Sequence, residues 1–432
     1  MTTLVLGAGV SGLGVARLLR RLDRPFEVYD ERATGELAGV PITSGPWDPA
    51  YLIGIDQVVT SPGFAETSDP IRHAIAEGIE VRSELDLAAS FVTGRVVAVT
   101  GTNGKTTTTE LIHAMCGASG LVADAAGNIG TALSDLAEAG TERDVAVVEA
   151  SSFQLRFAET FHPDVAVVLG IDVDHLDWHG DVAAYVAAKA RITEHQGPGD
   201  VIVHAADDDR AAAVAAASAA RPVPVSGRRR PAGGHGPEDG HLRIGPVAVP
   251  IEDLAVADEA YLVDLAAAGA AALAVGATAE GVETVVRRFH PGPHRRAVVA
   301  TADGVTWVDD SKATNPHAAA ASIAAFDRVV LVAGGRNKGL DLAPIVDADH
   351  LVAVLAVGEA AGELEALAPD LVTDVGTIPA AVARAAEIAR QGDTVLLAPG
   401  CASFDQFPSY AARGEAFAAA VAEQVGQREE AV

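Results

Sequence analysis

Arg95-Val-Val-Ala-Val-Thr-Gly-Thr-Asn-Gly-Lys-Thr-Thr107 decides the fold. Val96–Val99 is an unbroken apolar run, as a strand covered on both faces requires. Gly101 and Gly104 make the turn, and a helix is expected from about Thr108. Buried strand, glycine turn, lysine, hydroxyls, helix is the order of a phosphate cradle. Backbone N–H groups of Gly101, Thr102, Asn103 and Gly104 would face the phosphates. Lys105 would reach the β/γ oxygens, with Thr106 on Mg²⁺ and Thr107 beside it. The full GxxxxGK[ST] pattern is missing, because position 99 is Val. The bland alternative is a helix start capped by Thr, which would not need Lys105. The segment therefore points to ATP.

The same alternation continues on both sides. Upstream, Thr3–Leu6 reads as a strand, Gly7-Ala-Gly-Val-Ser-Gly12 as a glycine loop, and the next residues as a helix through Arg21. Phe26–Tyr29 is a second strand ending in Asp30, and Val58–Thr60 a later one. Alone, Gly7-x-Gly9-x-x-Gly12 followed by Asp30 is a fair NAD signal; a fold that binds another nucleotide, or none, gives the same signal. Downstream, 144–149 and 165–169 read as buried strands, 181–195 and about 258–275 as helices, and 227–240 as a loop. Residues 287–296 carry two prolines and read as a linker; four further strands alternate with helices after them. The expectation is an α/β protein of three consecutive domains: Rossmann-like over 1–92, P-loop ATPase-like with a parallel sheet over 93–290, and Rossmann-like over 291–432.

Hydrophobic residues are 49% of the 432 and aromatics only 4%, so the cores are aliphatic. Net charge is −28, from 31 Lys and Arg against 59 Asp and Glu. That balance disfavours nucleic acid or an anionic membrane as partner. Phosphate chemistry on such a chain needs cations placed locally. Lysine occurs only at 105, 189, 312 and 338, each inside a segment that looks chemical on other grounds. Two cysteines, Cys116 and Cys401, make no CxxC pair; a reducing cytoplasm is expected. Neither a signal peptide nor a membrane span is supported.

An ordered set of segments resembles the Mur ligases and their relative folylpolyglutamate synthase. It runs from GTNGKT at 101–106 through Gly127-Asn-Ile-Gly130, Glu149-Ala-Ser-Ser-Phe-Gln154, Asp174-His175, Lys189 and His294-Arg295 to Asp310-Ser-Lys-Ala-Thr-Asn315 and Gly334-Gly335 with Lys338. The resemblance covers essentially the whole chain. SSFQL, DDSKATN and Cys401-Ala-Ser-Phe-Asp-Gln-Phe407 look like the member that adds D-glutamate, and the DNPR signature of the diaminopimelate- or lysine-adding members is absent.

The resemblance implies roles. The first domain would hold a UDP-sugar through Val10, Ser11, Asp30 and Arg32, with Asn128 from the second. Lys105, Glu149, His175 and Lys189 would form the catalytic set. Thr106, Glu149, His175 and a carbamylated Lys189 would hold two Mg²⁺ ions. Arg295 would contact nucleotide phosphate and Asp310 the ribose. Lys312, Thr314, Lys338 and Ser403 would line a glutamate pocket, with Tyr410 where the family usually has Phe. Each also has a plainer reading: strand-end carboxylate for Glu149, snorkelling surface lysine for Lys189, helix caps for Thr314 and Ser403. Residues 171–179 hold three Asp and two His, a metal site or a solvated turn; His179 is left unassigned and expected to be exposed. Cys401 reads as a packed residue, not a nucleophile. The family's H-N-x-x-N segment, which helps hold adenine, is replaced by 261–267, with Asp264 near one Asn position. The implied activity is ATP-dependent amide-bond formation by a cytoplasmic monomer acting on small molecules. Its rivals are an NAD-dependent dehydrogenase, a nucleotide-binding module without catalysis, and a related ligase with another acceptor or amino acid.

Overall fold

The computed structural model describes residues 1–430. Three six-stranded α/β sheets follow one another along the chain. In the first, the strand order is 36–37, 40–44, 26–30, 3–6, 57–60, 80–83, parallel apart from the two-residue edge. The second is wholly parallel, in the order 221–225, 201–205, 165–168, 95–100, 145–149, 123–127. The last runs 297–302, 305–309, 394–400, 329–334, 351–357, 372–376, with only its first strand antiparallel.

Val96–Thr100 and Val145–Glu149 are buried throughout and pair in register, Val99 beside Glu149. Helices cover both faces of this sheet, so every valine of the pair goes inside. Each such side chain contributes roughly 1.5–3 kcal/mol on burial. Parallel pairing puts all the strand ends, and the loops that follow them, on one edge of the sheet.

The chain packs as two compact units: residues 1–171 with 178–289, and residues 172–177 with the chain from 290 onward. Within the first, the segment 82–86 joins the first sheet to the second through a polar seam. The Ser83 amide donates to the Phe157 carbonyl (2.8 Å), and the Thr160 amide to Asp86 Oδ1 (2.8 Å). Asp86 is fully buried, and its second oxygen takes Arg82 Nε at 2.6 Å.

Three local expectations change. The helix after the phosphate loop begins at Lys105, not Thr108, because Gly104 at φ +80° turns the chain directly into its first turn. The helix read over 181–195 is Val182–Ala190, followed by a 3₁₀ turn at Arg191–Thr193. The supposed loop at 227–240 ends in a strand, Gly236–Glu238, which opens a three-stranded antiparallel sheet with His241–Ile244 and Val247–Pro250. Those strands are three or four residues long, too short for a period-two pattern to emerge from the sequence.

Candidate functional site

Gly101 (φ +155°) and Gly104 (φ +80°) shape the loop after Arg95–Thr100. A methyl at 101 would lie 2.7 Å from Leu169 Cβ, and one at 104 would fall on Asp264 Oδ1. Gly104 is the N-cap of helix Lys105–Ala118 and provides no side-chain cap. The threonine-cap reading therefore fails, and the first-turn amides face outward from the positive end of the helix dipole. Lys105 Nζ donates to the carbonyls of Gly101 (3.0 Å) and Thr102 (2.9 Å). Lys189 Nζ donates to the same Gly101 carbonyl at 2.7 Å, although it arrives from helix Val182–Ala190. Two of the four lysines thus converge on one oxygen.

Lys189 is not a snorkelling surface residue; it is 2% exposed. Its amine lies 4.6 Å from the centre of the Tyr185 ring, one turn earlier on the helix. The Tyr185 hydroxyl meets Thr102 Oγ1 at 3.1 Å. Tyr185 went unnoticed in the sequence, yet its i, i+4 spacing to Lys189 was there to be read.

Glu149 ends the neighbouring strand and is 2% exposed. Asn128 Nδ2 donates to its Oε1 (2.8 Å), and the Asn128 amide donates to its carbonyl (2.8 Å). Gly127 at φ +101° lets that loop approach: a methyl there would fall on the Glu149 carbonyl. Glu149 Oε2 is buried with no hydrogen-bond partner. An orphaned carboxylate oxygen at a strand end fits a cation ligand, since leaving it bare costs several kcal/mol. Among the described residues no cluster of three His, Cys, Asp or Glu could hold an ion by itself. A metal here must complete its shell with a hydroxyl such as that of Thr106, a modified Lys189, substrate phosphates or water.

His175 lies in the stretch 172–177, which packs with the second unit. It has φ +54°; its amide donates to Asp174 Oδ1 (2.8 Å), and its Nε2 is 3.5 Å from Asp174 Oδ2. Lys338 Nζ donates to Asp174 Oδ1 at 3.2 Å. His179, expected to be exposed, is instead half-buried. It bonds Ser152 Oγ (2.9 Å), lies parallel to the Phe153 ring at 5.6 Å and meets Tyr185 edge-on at 5.3 Å. Flanking acidic residues hid this aromatic packing.

In the first glycine loop Gly9 caps helix Val10–Arg21 without a side-chain bond, and Val10 is exposed. Ser11 is half-buried in the first turn and Arg32 exposed beyond the second strand. Asp30 closes this loop on itself, accepting from the amides of Ala8, Arg32 and Ala33, each at 2.9 Å. Burial works to raise its pKa; the three amides, with Arg32 nearby, outweigh burial and hold it below the usual range.

In the second unit, Asp310 follows strand Val305–Asp309 and is 7% exposed. Burial pushes its pKa to about 6, against the pull of Arg296 Nε 4.0 Å away. His294 Nδ1 pairs with Asp309 Oδ2 at 2.6 Å, one residue before Arg295. Lys312 Nζ sits 4.0 Å over the Tyr410 ring, so these two glutamate-pocket candidates are together. Thr314 is half-buried in the turn before Asn315, which caps the following helix in its place. Ser403 is buried. Sequence reasoning missed Arg413, 2% exposed, which donates to Ser311 Oγ (2.9 Å), the Ser311 carbonyl (2.9 Å) and the Cys401 carbonyl (3.0 Å). It fastens the loop carrying Lys312 to the segment carrying Ser403; nothing in an Ala-rich helix marks it out. Cys401 is packed, its thiol pushed up to about 12 by burial, as expected of a residue that is not a nucleophile.

Family models match three stretches: "Mur ligase MurD-like, N-terminal domain" over 1–83, "Mur ligase middle domain" over 99–229, and "Mur ligase, glutamate ligase domain" over 294–401. The chain is 43% identical to the UDP-N-acetylmuramoylalanine–D-glutamate ligase of Frankia casuarinae, covering 99% of this chain and 95% of that one. It is 39% identical to the enzyme of that name from Desulfosudis oleivorans (96% and 95%) and 40% identical to that from Mycobacterium tuberculosis (97% and 95%). Among solved structures, MurF from Acinetobacter baumannii superposes with a TM-score of 0.62 at 18% identity, covering 98% of this chain and 90% of that one. UDP-N-acetylmuramate–alanine ligase MurC from Thermotoga maritima gives 0.58 at 15%, covering 98% and 100%. At such identities these two speak for the fold alone.

Proposed function

The chain belongs to the Mur ligase family, and from that premise we infer that it is an ATP-dependent ligase adding D-glutamate to UDP-N-acetylmuramoyl-L-alanine in peptidoglycan precursor synthesis. The carboxylate of the nucleotide-sugar substrate attacks the γ-phosphorus of ATP, releasing ADP and leaving an acyl phosphate. The amine of D-glutamate attacks the acyl carbon, phosphate departs, and an amide remains. No side chain takes up a covalent bond.

The observation that carries this reading within the molecule is Glu149 Oε2, buried and unpartnered beside the phosphate loop. Divalent cations, two Mg²⁺ in this proposal, would neutralise the phosphoryl oxygens. Thr106, Glu149, His175 and carbamylated Lys189 are the residues to hold them. Lys105 leaves its loop carbonyls for the β/γ oxygens when ATP arrives. The open helix N-terminus at Lys105 takes phosphate through the amides of residues 101–107. Arg295 and Asp310 serve the nucleotide; Lys312, Thr314, Lys338, Ser403 and Tyr410 serve the dicarboxylate, for which ammonium groups and hydroxyls are the fitting partners. Val10, Ser11 and Arg32, with Asn128, serve the UDP-sugar, and Asp30 shapes their loop. We divide the chain at 92/93 and 290/291 into UDP-sugar, ATP and amino-acid domains, and take it to act as a cytoplasmic monomer.

The test is phosphate release from ATP and Mg²⁺, with each substrate alone, with both, and with L-glutamate replacing D-glutamate. Release that requires both substrates and the D-isomer supports the reading. No release in any arm, from folded protein supplied with bicarbonate, overturns it. Bicarbonate depletion should lower activity reversibly if Lys189 works as its carbamate.

A further inference from the structure

In the loop after strand Val329–Gly334, three consecutive side chains reach three different carboxylates. Arg336 donates to Glu359 from Nε (3.0 Å) and Nη2 (2.9 Å). Asn337 Nδ2 donates to the two oxygens of Glu363, at 3.1 and 3.0 Å. Lys338 Nζ donates to Asp174 Oδ1 at 3.2 Å. The chemistry above uses Lys338 and gives its two neighbours nothing to do.

The loop is fixed at both ends. At its entry the Arg336 amide donates to the Ala402 carbonyl (2.8 Å), and the Ala402 amide donates back to the Arg336 carbonyl (3.1 Å), one residue before Ser403. At its exit a side chain does the work. Asn337 Oδ1 accepts from the Leu340 amide at 2.9 Å, and Nδ2 donates to the Leu340 carbonyl at 3.0 Å. Leu340 is buried, and Gly339 at φ +77° makes the bend. Lys338 therefore stands in a turn that one side-chain amide closes, and that amide is tied by Glu363 to the first turn of helix Ala361–Leu367. Asn337 uses an acceptor and a donor on Leu340 and a donor on Glu363. A carboxylate of the same shape would keep the first contact, lose the other two and set its charge against Glu363. The four-carbon stem of Lys338 is flexible, so the place of its ammonium depends on the backbone that carries it. We propose that Asn337 is a positioning residue: by closing the turn at 337–340 and tying it to Glu363, it aims the Lys338 ammonium at the dicarboxylate substrate. The proposal rests on the ligase reading above and on the place of Lys338 in its amino-acid pocket.

The experiment reverses the polarity of the Asn337–Glu363 contact. Asn337→Asp leaves two carboxylates facing each other; Glu363→Gln alone leaves the Asn337 amide an oxygen to donate to. In the double variant the amide introduced at 363 donates to the carboxylate introduced at 337. Asn337→Asp is expected to raise the KM for D-glutamate ~10-fold, with kcat within ~3-fold and the KM for ATP within ~2-fold of wild type. Glu363→Gln should stay within ~2-fold in all three, and the double variant should recover to within ~3-fold of wild type. Melting curves establish that each variant is folded. A wild type that fails to turn over both substrates would overturn the ligase reading and this inference with it. Given an active wild type, three outcomes would overturn the inference alone: a folded Asn337→Asp with an unchanged KM for D-glutamate, an equal loss in every kinetic constant, or a double variant no better than Asn337→Asp.

Discussion

Glu149 and Asp310 are both buried carboxylates at strand ends, and their surroundings give them opposite assignments. Glu149 has one oxygen on Asn128 and the other bare. Glu149→Gln keeps the Asn128 bond and removes the charge a cation would use. We expect kcat to fall ~10²–10³-fold and the Mg²⁺ requirement to rise, read by phosphate release. Asp310 has a folded-state pKa of about 6 against an ordinary 3.8. Between those values the folded chain holds more protons than the unfolded one, so this group's contribution to stability declines as pH climbs from about 4 to about 6. Asp310→Asn removes the penalty and should stabilise the protein above pH 6 by on the order of 3 kcal/mol, with no gain at pH 4. Melting curves at the two pH values check this, and nucleotide affinity should drop in the same variant. Equal shifts at both pH values would refute the assignment of the penalty to ionisation.

At the scale of elements, the long helix Tyr410–Glu430 carries two glycines with different surroundings. A methyl on Gly414 would fall on His294 Nδ1 and lie 2.6 Å from Asp309 Oδ2, whereas Gly426 has open space. Both gain about 1 kcal/mol of helix propensity on becoming Ala. Gly426→Ala should therefore raise the melting temperature by a few degrees, while Gly414→Ala lowers it and weakens nucleotide binding by parting the His294–Asp309 pair. Elements of this kind also mark the limit of what the sequence discloses. The phosphate loop, its buried strand and the glycine-loop helix were readable because their chemistry is local: consecutive valines, glycines where φ is positive, a lysine at the first turn. Lys189 was legible as a chemical residue but not as a buried one, since an Ala-rich helix has no apolar stripe to orient it. Glu84, Arg413 and the His179 stack were illegible. Their partners lie 50 residues (Glu84 to Ser134), 102 (Arg413 to Ser311) and 27 (His179 to Ser152) away along the chain, and only folding brings them together.

For the molecule as a whole, a net charge of −28 must admit two polyanionic substrates. Long-range repulsion opposes their approach even where the site itself is cationic. Raising KCl from 10 to 100 mM shortens the screening length from about 30 to about 10 Å. The KM for the nucleotide-sugar should therefore fall across that range, before higher salt erodes the contacts themselves. A KM that rises monotonically from the lowest salt would mean that the local cations dominate the field throughout.

The scarcity of lysine turns an amine-directed reagent into a gauge of ligand occupancy. With lysine only at 105, 189, 312 and 338, almost any side-chain acylation of these 432 residues reports on the loops named above. Lys189, 2% exposed and in this proposal already carried as its carbamate, should resist acylation in the native chain. Lys105, Lys312 and Lys338 should react, and each should be shielded by a different ligand: Lys105 by nucleotide, the other two by the dicarboxylate. Peptide mapping after brief acetylation would then read the order in which substrates arrive.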